Sequence, residues 1–287
     1  MGVPTGFFEV ADRVFVARYP QWDVNVGLVL GRDGAVVVDT RASARAGEEV
    51  QGDIRALGRD IVVRHVVSTH VHFDHTFGNA AFESATVHAH DNVGRTFVAD
   101  AERIKAAFRS DPGDGPEYGY TAADAADVLA SPVRGPDCTF GKGATIDLGD
   151  RVVTLAYAGR GHTDGDIAVH VPDTDAMFLG DLIEESAHPS FGGDCWPLDW
   201  ADTLESHLCW LGPASVVVPG HGRCVDVAFV ERQRSEIAAV AAVIRERRIA
   251  GQPWAAALAE PDERLAYPLD WLESAFRRGW DQYAGSG

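Results

Sequence analysis

The stretch Thr69-His70-Val71-His72-Phe73-Asp74-His75 packs four possible metal ligands into six residues. It directly follows the apolar run Ile61-Val62-Val63-Arg64-His65-Val66-Val67. A strand should therefore end near Ser68, leaving the donors on the loop beyond it. His70 and His72 alternate and can reach one ion, while Asp74 and His75 can turn toward a second. Imidazole nitrogens and carboxylate oxygens are the donors that zinc takes in hydrolytic sites.

Three more donors sit in the same kind of setting. His162 lies in Gly161-His162-Thr163-Asp164-Gly165, after Val152-Val153-Thr154-Leu155-Ala156-Tyr157. Asp181 closes Met177-Phe178-Leu179-Gly180-Asp181, and His221 lies in Pro219-Gly220-His221-Gly222 after Ser215-Val216-Val217-Val218. Each time a buried strand gives way to small residues and then a donor. Glycine beside a donor lets the backbone turn sharply and approach closely. Strand ends converging on one sheet edge would gather all seven donors around one pocket.

In this order, His70-x-His72-x-Asp74-His75, His162, Asp181 and His221 resemble the metallo-β-lactamase superfamily. Asp39, in Val36-Val37-Val38-Asp39-Thr40, matches that family's early strand-end aspartate. The resemblance runs from Val14 to Val230 and weakens beyond. It implies an α+β fold, the αββα four-layer sandwich, with two sheets face to face and helices outside; periodicity alone gives only a mixed α and β chain. It implies that His70, His72 and His162 hold one metal, that Asp74, His75 and His221 hold the other, and that Asp181 bridges them. Zinc, two per chain, is the implied cofactor, with iron or manganese as other occupants. The implied chemistry is hydrolysis of a small carbonyl substrate by a hydroxide held between the ions. Metal binding lowers the pKa of water from ~15.7 to near 7, and Asp74 is the residue that would also orient the hydroxide. Asp39 is expected to steady a ligand histidine through its outer ring nitrogen, with Thr69, Thr163 and Asp164 as further candidates.

The bridging aspartate separates branches of the family. Most of its β-lactamases lack it, while thioester hydrolases resembling glyoxalase II have it, so a thioester, lactone or other small ester is the expected substrate. The glyoxalase II branch reads glutathione partly through basic residues in a C-terminal helical domain. Arg245, Arg247, Arg248, Arg277 and Arg278 do not follow that pattern, which puts glutathione in doubt. Two alternatives stand beside this reading: a β-lactamase, and an oxidoreductase resembling the persulfide dioxygenases. The latter use a single iron on two histidines and an aspartate, so a complete set of seven donors favours two metals.

Composition narrows the partners. The net charge is −18, and Lys105 and Lys142 are the only lysines. Such a surface repels phosphate backbones and argues against a nuclease or any nucleic-acid partner. No signal peptide or membrane-spanning stretch is visible. Cys138, Cys195, Cys209 and Cys224 lack paired spacing and read as free thiols of a reducing cytoplasm; Cys195 reads as packing, with no partner to make it a nucleophile. A small molecule is the expected partner, and the oligomeric state is not set by the sequence.

With 287 residues and 46% apolar content, the chain can bury a sizeable core. It is expected to form one domain over 1–287, with an insertion or lid over about 101–137 and C-terminal helices over about 226–287. Strands are expected at 14–17, 26–30 and 35–38, with a hairpin turn at Arg32-Asp33-Gly34. A helix should run from Ser43 to Leu57 with Val50, Ile54 and Leu57 on one face. Short helices at 79–82 and 92–99 should flank a strand at Thr86-Val87-His88. Ser110-Asp111-Pro112-Gly113-Asp114-Gly115-Pro116 reads as a loop, and Thr121 with Asp124 as a capping box. Pro172-Asp173-Thr174-Asp175 is an expected turn, and helices are expected at 201–211 and 226–248. Two loops, Tyr19–Asp23 and Glu184–Pro197, carry aromatics that either face the substrate or pin the loop to the core. His65, His88, His90, His170, His188 and His207 match no donor position, with His188 the best placed to face the pocket.

Overall fold

Alternating valines set the architecture. In β4 (Gly34–Val38), Val36 and Val38 face one side while Ala35 and Val37 face the other. In the computed structural model, which describes residues 6–111 and 120–284, this period of two lays an apolar face on both sides of the sheet. From Pro112 on, the expected loop at 110–116 lies outside the described residues.

The first sheet has seven strands in sequence order: β1 (Phe8–Ala11), β2 (Val14–Arg18), β3 (Asn25–Gly31), β4, β5 (Val63–Val67), β6 (Thr86–His90) and β7 (Cys138–Phe140). Its first four strands are antiparallel, and β4 to β7 are parallel. The second sheet runs β12 (Val216–His221), β11 (Ala176–Glu184), β10 (Ala168–Val171), β9 (Val152–Ala156) and β8 (Gly143–Asp147). Within it, only the β11–β12 pair is parallel.

The sheets pack face to face. Val14, Val16, Val29, Val36, Val38 and Val67 of the first meet Ile146, Val153, Leu155, Val169, Phe178 and Val218 of the second. On the outer face of the first sheet, α1 (Ala44–Leu57) buries Val50 and Ile54 against Val37 and Val66. Ser43 starts that helix, its hydroxyl accepting from the Ala46 amide at 3.1 Å. Leu57, expected on the same face, is 40% exposed because the helix ends there and the chain leaves the sheet. The short α2 (Phe73–Thr76) carries two of the candidate donors. The expected short helix after β6 is 20 residues long: α3 (Asp91–Ser110) runs straight through position 101. Then α4 (Ala122–Ala130) starts at the capping box of Thr121 and Asp124.

On the outer face of the second sheet lie α5 (Trp200–Leu208), α6 (Val227–Ile249), α7 (Trp254–Ala259) and α8 (Glu273–Ala284). Trp200, Leu204, Ile237, Val240, Ile244 and Phe276 cover Met177, Leu179 and Val217 there. The layers are therefore αββα. None of the helices among the described residues is long and apolar enough to cross a membrane.

The contact between the sheets is close enough to dictate one residue. A Cβ on Gly27 would stand 2.3 Å from the Phe178 ring. Gly27→Ala should therefore lower unfolding stability by about 1–3 kcal/mol through overpacking. The urea midpoint measures this, and an unchanged midpoint would show that the sheets have room to separate.

Candidate metal centre

Four chain segments meet at one rim of the sandwich. β5 ends at Val67 and releases the loop that carries His70 and His72, and α2 carries Asp74 and His75. The loop after β9 carries His162, and β12 ends on His221. Asp181, expected at a strand end, instead lies within β11, where the register with β12 shifts on either side of Gly180. That irregularity coincides with the carboxylate's approach to the histidines. Gly220 is obligatory beside it, since a Cβ there would stand 1.8 Å from Asp181 Oδ1. Asn25 locks the two sheets together at this point, its Nδ2 donating to Pro219 O and Gly222 O, both at 2.9 Å.

All seven expected donors come together. Asp181 Oδ2 is 3.3 Å from His221 Nε2, 3.4 Å from His162 Nε2 and 3.7 Å from His70 Nε2. Asp181 Oδ1 is 3.2 Å from His75 Nε2. Asp74 Oδ2 is 3.5 Å from His221 Nε2 and 3.7 Å from His75 Nε2. His72 Nδ1 is 2.8 Å from His162 Nε2. Two groups result, His70–His72–His162–Asp181 and Asp74–His75–His221, each with its donor atoms within 4.8 Å of one another.

These donors fit metal ions. Bonds of 2.0–2.1 Å in a tetrahedral site put neighbouring ligand atoms about 3.3 Å apart, the spacing seen here. His70 Nε2 and Asp181 Oδ1 are buried and make no hydrogen bond, although neighbouring donors surround both. Lone pairs of several imidazoles and a carboxylate turned toward one point repel unless positive charge lies between them.

The ring orientations are fixed from outside. His75 Nδ1 is 2.8 Å from Asp39 Oδ2, and that same carboxylate accepts from the Thr69 amide and hydroxyl, each at 2.8 Å. Thr69 Oγ1 is 3.0 Å from His70 Nδ1. Thr163 and Asp164 hold no donor ring: Thr163 instead bonds the buried Asp166, which braces the His162 loop. Three outer partners were not legible in the sequence. His221 Nδ1 meets Trp22 O at 2.8 Å, His162 Nδ1 meets Ser190 O at 3.0 Å, and His72 Nε2 meets Asp194 Oδ2 at 2.9 Å. Two are backbone carbonyls, which no residue type signals. His72 alone turns its Nε2 outward, so it offers Nδ1 to the cluster while the others offer Nε2.

Electrostatics follow the crowding. Burial opposes charge on every group here, yet His221, His75 and His70 hold Asp181 well below the usual carboxylate range. Burial also opposes the charged forms of His221 and His72, but Asp181 raises His221 to about 10 and the bond to Asp194 raises His72 to about 9. Burial pushes His162 down to about 4 and His70 well below its ordinary value. The cluster thus demands positive charge but cannot protonate all its imidazoles at once.

One carboxylate was missed. Glu184, the last residue of β11, is buried beside His221 and Asp181 and forms a third possible donor group with them. Burial pushes its carboxyl up to about 7. Its place within an apolar strand gave no separate signal.

The flanking loops divide. Trp22 stacks on Tyr120 with centroids 5.3 Å apart and meets Phe73 edge-on at 5.4 Å, forming an aromatic wall next to Asp74. In the 184–197 loop Phe191 is 5% exposed and pins the loop onto Trp200, so it faces the core and not a substrate. Trp196 is partly exposed and borders two clefts. Cys195 is fully buried, and burial pushes its thiol up, so it packs. The six other histidines stay outside the cluster, and His188 stands exposed against Tyr267 and Trp271.

Known proteins share these features. The sequence pattern of the metallo-beta-lactamase superfamily matches residues 19–221. An acyl-coenzyme A thioesterase MBLAC2 of Bos taurus is 28% identical over 235 residues, 75% of this chain and 78% of that protein. The Gallus gallus protein of the same name is 30% identical over 64% of this chain and 65% of its own. A metallo-beta-lactamase type 2 of Bacillus cereus is 30% identical over 83 residues, 28% of this chain and 32% of that one. Among solved structures, the sec-alkylsulfatase Pisa1 from Pseudomonas sp. superposes with a TM-score of 0.75 at 17% identity, covering 98% of this chain and 50% of its own; this chain spans half its length. The DIM-1 metallo-beta-lactamase gives a TM-score of 0.58 at 21% identity, covering 82% of this chain and 97% of its own. With its fold, its donor cluster and a match across most of its length, the chain belongs to the metallo-beta-lactamase superfamily and is a hydrolase.

Proposed function

We propose that this protein is a dinuclear zinc hydrolase of acyl thioesters. The observation that carries the reading is the shared position of Asp181, whose two oxygens lie between the two donor groups. His70, His72 and His162 would hold one ion, Asp74, His75 and His221 the other, and Asp181 would serve both. Relatives named as acyl-coenzyme A thioesterases, aligned over about three-quarters of the chain, support thioesters as the substrate class.

When bound, such a metal pair supplies Lewis acidity, polarising a carbonyl and acidifying a water near neutral pH. The chain's own residues do the rest. The Asp74 carboxylate accepts a hydrogen bond from the attacking water and aims its oxygen at the carbonyl carbon. Asp39 and Asp194 keep His75 and His72 turned inward. Trp22, Phe73 and Tyr120 give an apolar wall against which an acyl chain can lie and exclude bulk water. As the water oxygen joins the carbonyl carbon, the carbon–sulfur bond breaks, and the thiol leaves with a proton from that water.

Elemental analysis should find about two zinc ions per purified chain. Chelation should abolish thioester hydrolysis, and added zinc should restore it; less than one equivalent with hydrolysis surviving chelation would end the reading. Asp74→Asn should keep the melting behaviour while turnover falls ~10²-fold or more, and a near-normal rate would remove Asp74 from this role. Asp39→Asn should weaken zinc affinity ~10–100-fold with the circular dichroism spectrum intact; competition with a chromophoric chelator reads this directly, and unchanged affinity would make Asp39 purely structural.

A further inference from the structure

A groove lined by neighbours of the donor histidines shares two wall residues with a second cleft, and that cleft carries three arginines. Val71, Thr163 and Asp194, all next to the donor histidines, line a groove of about 430 Å³ that reaches Trp196 and Arg278. Trp196 and Arg278 also border a second cleft of about 600 Å³, shared with Arg160, Arg245 and Tyr283. Trp196 and Arg278 therefore form part of the wall of both spaces.

Three guanidiniums gather there. Arg160 lies 3.7 Å from the Trp196 ring centroid and Arg278 lies 5.1 Å from it. Arg160 is neutralised by Asp199, with Nε 2.8 Å from Oδ2. Arg245 and Arg278 have no ion pair among the described residues. Arg245 Nη2 donates to Leu198 O at 2.5 Å, and Arg278 Nε donates to Cys195 O at 3.1 Å. Each bond anchors one part of a planar group that has five N–H donors, leaving the others uncommitted. Asp199 and Asp281 are the carboxylates of the cleft wall, and Asp100, Asp164 and Asp194 line the adjoining groove that Arg278 also borders. On a chain of net charge −18, this cleft wall has three arginines to two aspartates, with Arg245 and Arg278 anchored beside aromatic faces.

We propose that this cleft binds the phosphorylated nucleotide end of the substrate's leaving thiol, while the acyl end lies at the metal centre. Arg245 and Arg278 take the phosphates, for which forked guanidinium donors are suited. The exposed Tyr283 ring, with the edge of Trp196, receives the base. The inference rests on the thioesterase reading and narrows it to thioesters of the acyl-coenzyme A kind. An acyl-glutathione carries neither phosphate nor an aromatic base and would leave the cleft unfilled.

The zinc-loaded protein is titrated calorimetrically with adenosine 3′,5′-bisphosphate, a probe with no thioester. The expected result is saturable, salt-sensitive binding. Arg245→Glu and Arg278→Gln should each weaken it ~10-fold or more, and Arg278→Lys, which keeps the charge, should weaken it less. Thermal melting checks that the variants are folded. In parallel, octanoyl-coenzyme A should exceed octanoyl-pantetheine in kcat/KM by ~10-fold or more, mainly through KM, and Arg245→Glu should erase most of that preference. Absence of nucleotide binding, equal binding by all variants, or equal kcat/KM on the two thioesters would each overturn the proposal. If neither thioester is hydrolysed, the thioesterase reading fails, while the titration still decides whether the cleft takes a nucleotide.

Discussion

A buried carboxylate must have positive charge beside it, and the rest of this site is built to supply that charge at Asp181. The Asp181 side chain is 7% exposed and is ringed by nitrogens of His70, His75, His162 and His221. In a medium of low dielectric, leaving either sign unpaired there costs several kcal/mol. Protonated imidazoles can meet part of the demand, but burial, aided by repulsion from His75 and His72, disfavours charge on His70 and His162. Cations satisfy the carboxylates and the neutral imidazoles together.

That demand explains why so much of the surrounding structure serves orientation. Asp39 takes a left-handed backbone, with φ 61, directly after β4, and its carboxylate then spans the Thr69 amide, the Thr69 hydroxyl and His75. Trp22, with φ 56, is likewise held in that unfavourable region, and its carbonyl meets His221. Non-glycine residues there store strain of order 1–3 kcal/mol. Asp39 directly follows β4, and Trp22 lies in the short turn between β2 and β3, so well-packed strands flank both.

The two sheets make unequal contributions. The first supplies the segment that concentrates four donors, and the second supplies Asp181 and the two remaining histidines. Helices α6 and α8, packed on the second sheet, also bring Arg245, Arg278 and Tyr283 to the cleft beside Trp196. On the first sheet's side, Trp22, Phe73 and Tyr120 meet next to Asp74.

Much of this was written locally. The spacing of His70, His72, Asp74 and His75, and the glycines beside His162 and His221, announce donors because few other roles suit such residues in such density. Alternating valines announce the strands, and Ser43 and Thr121 announce helix starts, since periodicity and capping act over a few residues. The length of α3, the burial of Phe191 and the exposure of His188 depend on which surface lies opposite, and that is not encoded nearby. The same holds for the partners of the donor rings. Trp22 O and Ser190 O are backbone atoms with no residue signature, and Asp194 lies 122 residues from the histidine it orients. The sequence by itself determined the donor chemistry, the strands and the family. Only the tertiary structure decided which ring nitrogen each histidine offers, and that Arg245 and Arg278 share one cleft, because both depend on contacts between segments far apart in the chain.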